Sequence, residues 1–129
     1  MFLVSGPIFR GEYFPNKMLA GRPVLIRDDN GINFNWELGS PDSFIPSNNF
    51  SVRWTRQEYF NGGIYVFTVW SDDGLRIYID NQLVYNRWRN QSAKYNYFNM
   101  TMPTGLHDIK VEYFEARGKA SVGVVWGNY

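Results

Sequence analysis

The sequence predicts an all-β protein, an antiparallel β-sandwich. Short apolar-rich runs are interrupted roughly every ten residues by Gly, Pro, Asn and Asp, a rhythm typical of strands and turns. No run has the length or the period of an amphipathic helix. Aromatic residues make up 19% of the chain, and such large side chains can fill the interior between two packed sheets.

Ten segments are predicted to form strands. In chain order they are Ile8 to Tyr13, Val24 to Arg27, Ile32 to Trp36, Phe50 to Tyr59, Ile64 to Ser71, Leu75 to Ile79, Leu83 to Tyr85, Tyr97 to Met102, Asp108 to Glu115 and Ser121 to Trp126. Apolar and polar residues alternate most clearly in FSVRW, LRIYID and IKVEY, as in sheets with one buried face. The residues predicted to face inward are Phe50, Val52, Trp54, Leu75, Ile77, Ile79, Ile109, Val111 and Tyr113, whereas Ser51 and Arg53 are predicted to face outward.

The breaks between these runs have the chemistry of turns. Asp80-Asn81 suits a two-residue hairpin, because Asp and Asn tolerate the positive φ that such turns require. Pro103 and Gly105 mark a further connection. The stretch GSPDSFIPSNN predicts a long surface loop within the domain.

Length and composition indicate one globular domain, residues 1–129. If the natural protein is secreted, this chain is expected to be a piece excised from a larger protein. The 13 basic and 12 acidic residues nearly cancel, which removes the electrostatic argument for a nucleic-acid partner, and no run approaches the ~20 apolar residues of a membrane-spanning helix. The chain has no cysteine, which excludes disulfides and thiolate metal sites. The opening MFLVSGP lacks the basic region of a signal peptide.

Two adjacent carboxylates, Asp72 and Asp73, lie between two predicted strands and allow two interpretations. Asp and Gly are common in solvated turns, so Asp72-Asp73-Gly74 is consistent with a turn that has no further role. Carboxylate oxygens are also the ligands that calcium takes, although calcium requires about 6 to 8 oxygen ligands. The spacing alone leaves both interpretations open.

Three other motifs favour structural roles. RDDNGINFNWE has an acidic start, but its Gly31 comes too early for an EF-hand loop, so a turn is the expectation. His107 is the sole histidine and no G-x-S-x-G elbow is present, so a structural or surface histidine is expected rather than a catalytic one. NRWRNQSAKYNYF interleaves basic and aromatic residues as single-strand binders do, but near-neutral charge favours a sandwich edge or loop.

Four segments together resemble the PA-fourteen domain, the module named after anthrax protective antigen. They are GEYFPNKMLAGRPVLIRDDNGINFNWELGSP, FSVRWTR, GGIYVFTVWSDDGLRIYIDNQLVYNRW and GLHDIKVEYFEARGKASVGVVW, which run in order from about residue 11 to residue 126. The resemblance implies a β-sandwich that occurs as an accessory module of secreted glycosidases, toxins, proteases and adhesins. In yeast flocculins and related adhesins it implies calcium-dependent sugar binding.

The resemblance also assigns roles to residues. In the adhesins two consecutive aspartates joined by a cis peptide hold the calcium, and Asp72-Asp73 followed by Gly74 matches that loop. A second adhesin loop contributes an Asn, but the matching FEARGKAS has none, so Glu115 and the carbonyls of residues 116–118 are the expected oxygens. We therefore expect Asp72, Asp73 and Glu115 as metal ligands. The expected glycan-binding residues are Asp72, Asp73, Trp70, Trp88 and Arg117.

The expected function is a non-catalytic, calcium-assisted carbohydrate-binding module that attaches a larger extracellular or cell-surface protein to glycans. The alternative is a structural or protein-interaction spacer without a bound ligand, in which the acidic pair only shapes a turn. An independent enzyme is not expected, because no nucleophile and base can be assembled from the sequence. The expected partners are a glycan or polysaccharide and neighbouring domains, without nucleic-acid binding or membrane insertion.

Overall fold

The computed structural model describes residues 8–128, and the opening MFLVSG and the prediction made for it fall outside that range. The described residues form ten strands and no helix. The strands are β1 (Ile8–Phe14), β2 (Leu25–Asn30), β3 (Ile32–Glu37), β4 (Phe50–Phe60), β5 (Gly63–Asp72), β6 (Gly74–Ile79), β7 (Gln82–Arg87), β8 (Asn96–Met102), β9 (Gly105–Glu115) and β10 (Ala120–Gly127). Accordingly, this part of the chain has no helix that is long and apolar enough to cross a membrane.

The strands form two antiparallel sheets, so the predicted β-sandwich is confirmed. One sheet has six strands in the order β2-β1-β4-β9-β6-β7, and the other has four in the order β3-β10-β5-β8. All ten predicted strands are present, with ends that differ by at most three residues. The chain therefore passes repeatedly between the sheets, and each passage brings a loop to one end of the sandwich.

The core lies between the two sheets and is rich in aromatic side chains. All nine residues predicted to face inward are buried. The Trp54 ring stacks on Phe34 of the opposite sheet, with 5.9 Å between ring centroids. Phe67 and Phe98 stack in the same way across β5 and β8. The alternation of the sequence is thus explained by one buried face on each sheet.

Ser51 faces outward as predicted but is not exposed. Its side chain does point away from the core, but the segment between β1 and β2 covers it, and Ser51 is fully buried. The Leu19 amide donates to Ser51 Oγ at 3.0 Å, and Ser51 Oγ donates to the Asn16 carbonyl at 2.6 Å. The predicted outward direction is thus correct, but a loop distant in sequence packs over this face and buries the residue.

The acidic stretch after Arg27 also differs from its prediction. It was expected to be a turn, but Asp28 and Asp29 continue β2 and the turn is confined to the step from Asn30 to Gly31. Asp29 is buried and accepts hydrogen bonds from Arg27, Tyr13 and Trp54. This carboxylate therefore links β2 to β1 and β4, and its charge is paired with the Arg27 guanidinium.

The predicted Asp80-Asn81 hairpin is confirmed. Ile79 pairs with Gln82, which leaves a two-residue turn, and φ is 50° at Asp80 and 66° at Asn81. The Asp80 carboxylate lies 2.6 Å from Nδ1 of His107, whose Nε2 lies 2.7 Å from the Pro103 carbonyl. His107 thus links the β6–β7 turn to the β8–β9 turn, in agreement with the expected structural role.

The outer faces of the two sheets differ in charge. A row of alternating charges crosses the six-stranded sheet, because Glu12, Arg53, Glu112 and Arg76 are neighbours on β1, β4, β9 and β6. Glu112 accepts from Arg53 at 2.9 Å and from Arg76 at 2.7 Å. On the four-stranded sheet, the outward positions of β5 and β8 from Ile64 to Trp70 and from Tyr97 to Thr101 carry no charged residue.

Candidate functional site

The acidic pair lies where the chain passes from one sheet to the other. β5 of the four-stranded sheet ends at Asp72, β6 of the six-stranded sheet begins at Gly74, and only Asp73 lies between them. The Asp72–Asp73 peptide is cis, as predicted. Glu115 is the last residue of β9, which pairs with β6 so that Gly74 faces Phe114. Sheet pairing therefore brings Glu115 beside the acidic pair.

The three carboxyl groups form a compact cluster. One carboxylate oxygen from each of Asp72, Asp73 and Glu115 lies within 4.8 Å of the other two. Asp73 and Glu115 are buried and Asp72 is half-buried. The three residues expected as metal ligands are therefore together, although 42 residues separate Asp73 from Glu115 in sequence.

Asp73 is held by two loops. Its Oδ1 accepts from the Gln91 amide and its Oδ2 from the Ala116 amide, both at 2.9 Å. The Gln91 side chain donates to the carbonyl and the hydroxyl of Ser71, and that hydroxyl donates to the Asp73 carbonyl at 2.7 Å. The β7–β8 and β9–β10 loops are thus positioned by one carboxylate.

Glu115 has no such partners. Its side chain is fully buried, and neither carboxyl oxygen has a hydrogen-bond donor among the described residues. Burial raises the pKa of Glu115 to about 9, and the charges of Asp73 and Asp72 add to the shift. Burial and Asp73 raise the pKa of Asp72 to about 6. Without a cation, the cluster thus disfavours its own ionisation.

The donor set of the cluster fits a hard divalent cation. All side-chain ligands on offer are carboxylate oxygens, which calcium prefers over nitrogen or sulfur ligands. Asp72 and Glu115 are the most available, because both oxygens of Asp73 already accept backbone hydrogen bonds. The Ala116 carbonyl, one of the expected ligands, accepts the Asn49 amide at 3.1 Å and is also partly engaged.

Two concave surfaces flank the cluster. A polar pocket of about 320 Å³ is lined by Lys17, Asn48, Asn49, Asn90, Ala116 and Arg117. A second, of about 350 Å³, shares Lys17 and Asn90 and adds Met18, Trp88, Arg89 and Phe114. Arg117 and Trp88, both expected to contact glycan, therefore line neighbouring pockets at this end of the sandwich.

The Trp88 ring is less accessible to a ligand than expected. Its ring packs edge-on against Phe114, and the Arg76 guanidinium lies 3.9 Å from its centroid. These contacts leave the half-buried ring only part of its surface for a ligand. Trp88 is consequently better placed to form a wall of its pocket than to offer an open stacking face.

Trp70 lies on a different surface from Trp88. It occupies the outer face of the four-stranded sheet, opposite Gly123 of β10, on the same face as Asp72. A Cβ at Gly123 would come within 1.9 Å of the indole, so the ring lies directly over the glycine. The structure thus places Trp70 beside the acidic pair but outside both pockets.

Four site residues were not found by sequence reasoning. Gln91 holds Asp73, whereas Asn48, Asn49 and Asn90 line the polar pocket. They lie on loops that meet only in the folded protein, and no motif spacing connects them to the acidic pair. A cleft of about 310 Å³ elsewhere, lined by β1, β3 and β10 residues such as Phe9, Ile32 and Trp126, contains no titratable side chain.

Known proteins resemble this chain over nearly its whole length. A family model described as PA14 domain matches residues 8–129. The chain is 35% identical over 126 residues to the anti-sigma-I factor RsgI3 of Acetivibrio thermocellus, which covers 96% of this chain and 19% of that protein.

Solved structures give the same fold. An anti-sigma factor domain-containing protein has a TM-score of 0.87 at 33% identity, covering 97% of this chain and 43% of its own. A PA14 sugar-binding domain from an RTX adhesin has a TM-score of 0.70 at 21% identity, with 95% and 90% coverage. The chain therefore spans less than half the length of the two anti-sigma relatives.

Proposed function

Because this chain belongs to the PA14 domain family, we propose that it is a non-catalytic module that binds glycans with the help of calcium. The buried, unpartnered carboxyl of Glu115 carries the proposal. A buried polar group without a partner costs about 1–3 kcal/mol, and a group that is kept despite this cost is explained by a ligand that partners it. Here the ligand would be the calcium ion.

The neighbouring residues support a glycan as the second ligand. A bound calcium ion would offer open coordination positions to sugar hydroxyls. The adjacent polar pocket presents the amides of Asn48, Asn49 and Asn90, which can both donate and accept hydrogen bonds as sugar hydroxyls do. Arg117 at its rim adds further donors. The sugar-binding domain of the RTX adhesin has the same fold.

We further propose that the module works in a larger envelope or surface protein. Both anti-sigma relatives are more than twice as long as this chain, so other domains accompany the module in them. The names of these relatives favour a regulatory protein as the host of the module, rather than the adhesin or glycosidase that the family resemblance implies. In such a host, glycan binding outside the cell would serve as the signal.

The proposal is tested with Asp72→Asn. Asp73 is the poorer choice, because an amide there would turn one backbone acceptor into a donor facing an N–H group. No N–H or hydroxyl group of the described residues donates to the Asp72 carboxylate, and an amide can still donate to Asp73 as the protonated Asp72 does, so Asn preserves the local structure. We expect calcium to raise the melting temperature of the wild type, measured by calorimetry against chelator, and to do so much less in Asp72→Asn.

Asp28→Asn is the matched control, because Asp28 is exposed on β2 and undergoes the same change of charge. It should keep the full calcium response. Retention on a glycan array, measured with calcium and with chelator, completes the test. A wild type whose stability and glycan retention are both indifferent to calcium contradicts the proposal.

A specific observation also favours the spacer as a second candidate function. Asp73 already organises two loops through its backbone hydrogen bonds, which is a sufficient structural role for one member of the pair. In that case calcium has no effect, and the module contacts neighbouring domains instead. The calorimetry described above separates the two candidates.

A further inference from the structure

The outer face of the four-stranded sheet exposes a set of aromatic rings that the calcium cluster does not use. Tyr95 and Tyr97 are 68% and 75% exposed, and Tyr97 lies on β8 directly opposite Thr68 of β5. The Tyr95 ring stacks on Trp70 with 4.9 Å between centroids. Single exposed aromatics are ordinary, but adjacent ones on one face indicate a contact surface.

The exposed aromatic rings are held in place by the sheet itself. Gly123 is paired with Trp70, and its missing side chain lets the indole lie flat against β10. Tyr95 then stacks on this supported ring, so that its orientation is fixed by packing. A rigid, pre-oriented ring loses little conformational entropy when a ligand covers it.

Along β8 the surroundings of the rings are uncharged but able to form hydrogen bonds, and the charged neighbours, Lys94 and Asp72, lie at the end of the face nearest the cluster. Asn99 and Thr101 continue the exposed stripe along β8, and Thr68 adds a hydroxyl from β5. No residue of β8 is charged, whereas the six-stranded sheet carries its row of alternating Glu and Arg. The face therefore matches an uncharged partner that has both apolar surfaces and hydroxyl groups.

β8 is also an edge strand, because it pairs with β5 alone. Natural edge strands are usually protected by charges, proline or a covering element, since an unprotected edge invites aggregation. β8 has neither a charged residue nor a proline. A bound, hydroxyl-rich chain lying along it would cover the edge without a protein partner.

We propose that Tyr95, Tyr97 and the neighbouring polar residues of β8 form a second, calcium-independent site that binds an extended, uncharged polysaccharide. The sugar rings lie with their C–H faces on the aromatic rings, and Asn99 and Thr101 bond their hydroxyls. This site is distinct from the acidic cluster, and it gives the module a way to hold a long chain while the cluster holds another part of the glycan.

The test measures binding in chelator to three soluble neutral polysaccharides, hydroxyethylcellulose, glucomannan and β-1,3-glucan, by affinity electrophoresis. The wild type should be retarded by at least one of them, and Tyr97→Ala should weaken that binding by about 2- to 10-fold, the range expected for one aromatic contact. Tyr97→Phe should retain most of it, because the ring remains.

Tyr59→Ala is the matched control, since Tyr59 is 57% exposed on the outer face of the other sheet. It should bind as the wild type does. Because the measurement is made in chelator, failure of the calcium proposal leaves this result interpretable. Equal losses in Tyr97→Ala and Tyr59→Ala overturn the proposal, as does retardation by none of the three.

Two further results would assign the face to another partner and also overturn the proposal. Retardation by polygalacturonate but by no neutral polysaccharide would mean that charge governs binding. Self-association of the wild type that Tyr97→Ala abolishes, measured by sedimentation velocity, would mean that the face binds a second copy of this chain.

Discussion

A single carboxyl group sets the energetics of the acidic cluster. Glu115 is fully buried beside two other carboxyls, and no N–H or hydroxyl group of the described residues donates to it, an arrangement that disfavours its charge and favours the protonated form, which can donate to Asp73. Most buried polar groups in proteins have a hydrogen-bond partner. The residue is therefore the most sensitive reporter of whether a cation completes the cluster.

We predict that Glu115→Gln has opposite effects with and without calcium. In chelator its amide can donate to the nearby Asp72 or Asp73 carboxylate at every pH, whereas the Glu115 carboxyl can do so only while protonated, so the free energy of unfolding should exceed that of the wild type by roughly 1 kcal/mol once the pH passes about 9. The calcium-dependent rise in melting temperature should be lost. Urea titrations in chelator and calorimetry with calcium measure the two effects.

Glu37→Gln serves as the control, because Glu37 is exposed at the end of β3. It should change neither quantity appreciably. A Glu115→Gln variant that responds to calcium as the wild type does would remove Glu115 from the set of ligands.

The members of the cluster could be predicted from the sequence, but its supports could not. Asp72 and Asp73 are adjacent, and Glu115 stands out because it is the only acidic residue of a short loop segment that lacks Asn. Gln91 holds Asp73 through its backbone amide, which every non-proline residue has, and its side chain donates to Ser71, 20 residues away, a contact that no motif spacing indicates. Asn48 and Asn49 reach the site from the β3–β4 loop, through contacts that only the folded chain makes.

At the scale of elements, His107 links two turns at one end of the sandwich. Both of its ring nitrogens face acceptors, Asp80 and the Pro103 carbonyl, so the doubly protonated ring is favoured. These hydrogen bonds raise the pKa of His107 above 6.5, and the His107 hydrogen bond lowers the pKa of Asp80 below 3.8. The pair stabilises the fold fully from about pH 4 to 6.5, and the histidine contribution is lost as pH rises through its raised pKa.

His107→Gln should therefore be less stable than the wild type at about pH 5.5 and much closer to it at about pH 9. Thermal unfolding across this range measures the difference. Asp80→Asn should give the same pH profile, and the double variant should be no worse than either single one. A stability difference that does not change with pH would show that the ion pair contributes nothing.

The positions of the strands could be predicted from the sequence, but the burial of polar residues on their outer faces could not. Period-two alternation predicts which residues share a face, and all nine inward positions were correct. The burial of Ser51 and Asp29 could not be predicted in this way. Each lies at a position where the sequence pattern predicts a solvent-facing side chain, and each is buried by partners that are 16 to 35 residues away.

At the scale of the whole molecule, the first and last strands meet far from the acidic cluster. Phe9 of β1 and Trp126 of β10 pack edge to face, with 6.2 Å between ring centroids. Asp72 pairs with Ser121, five residues before Trp126, which is about 17 Å along the strand. The first and last strands thus contact each other from opposite sheets, and the cluster lies at the other end of β10.

We predict that a circular permutant folds. Residues 8 and 128 would be joined by a short Gly/Ser linker, and new ends would be opened between Ser43 and Phe44, both exposed in the β3–β4 loop. Circular dichroism should show a cooperative thermal transition, and the calcium response should persist. A permutant that remains unfolded contradicts the inferred proximity.

A second permutant, opened between Gln91 and Ser92, provides the comparison. It should also fold, but it frees the loop that donates to Asp73 and should lose much of the calcium response. If both permutants respond equally, that loop has no part in organising the cluster.

The opposed positions of the cluster and the strand ends determine how the domain carries a mechanical load. If the proposed site holds a glycan at Asp72 and a host protein is attached after β10, the glycan would pull β5 in one direction and the host would pull β10 in the other. The two strands are paired antiparallel over seven residue pairs from Ser121 to Gly127. Tension along this line acts as shear, so the hydrogen bonds of the ladder resist it together instead of opening one after another.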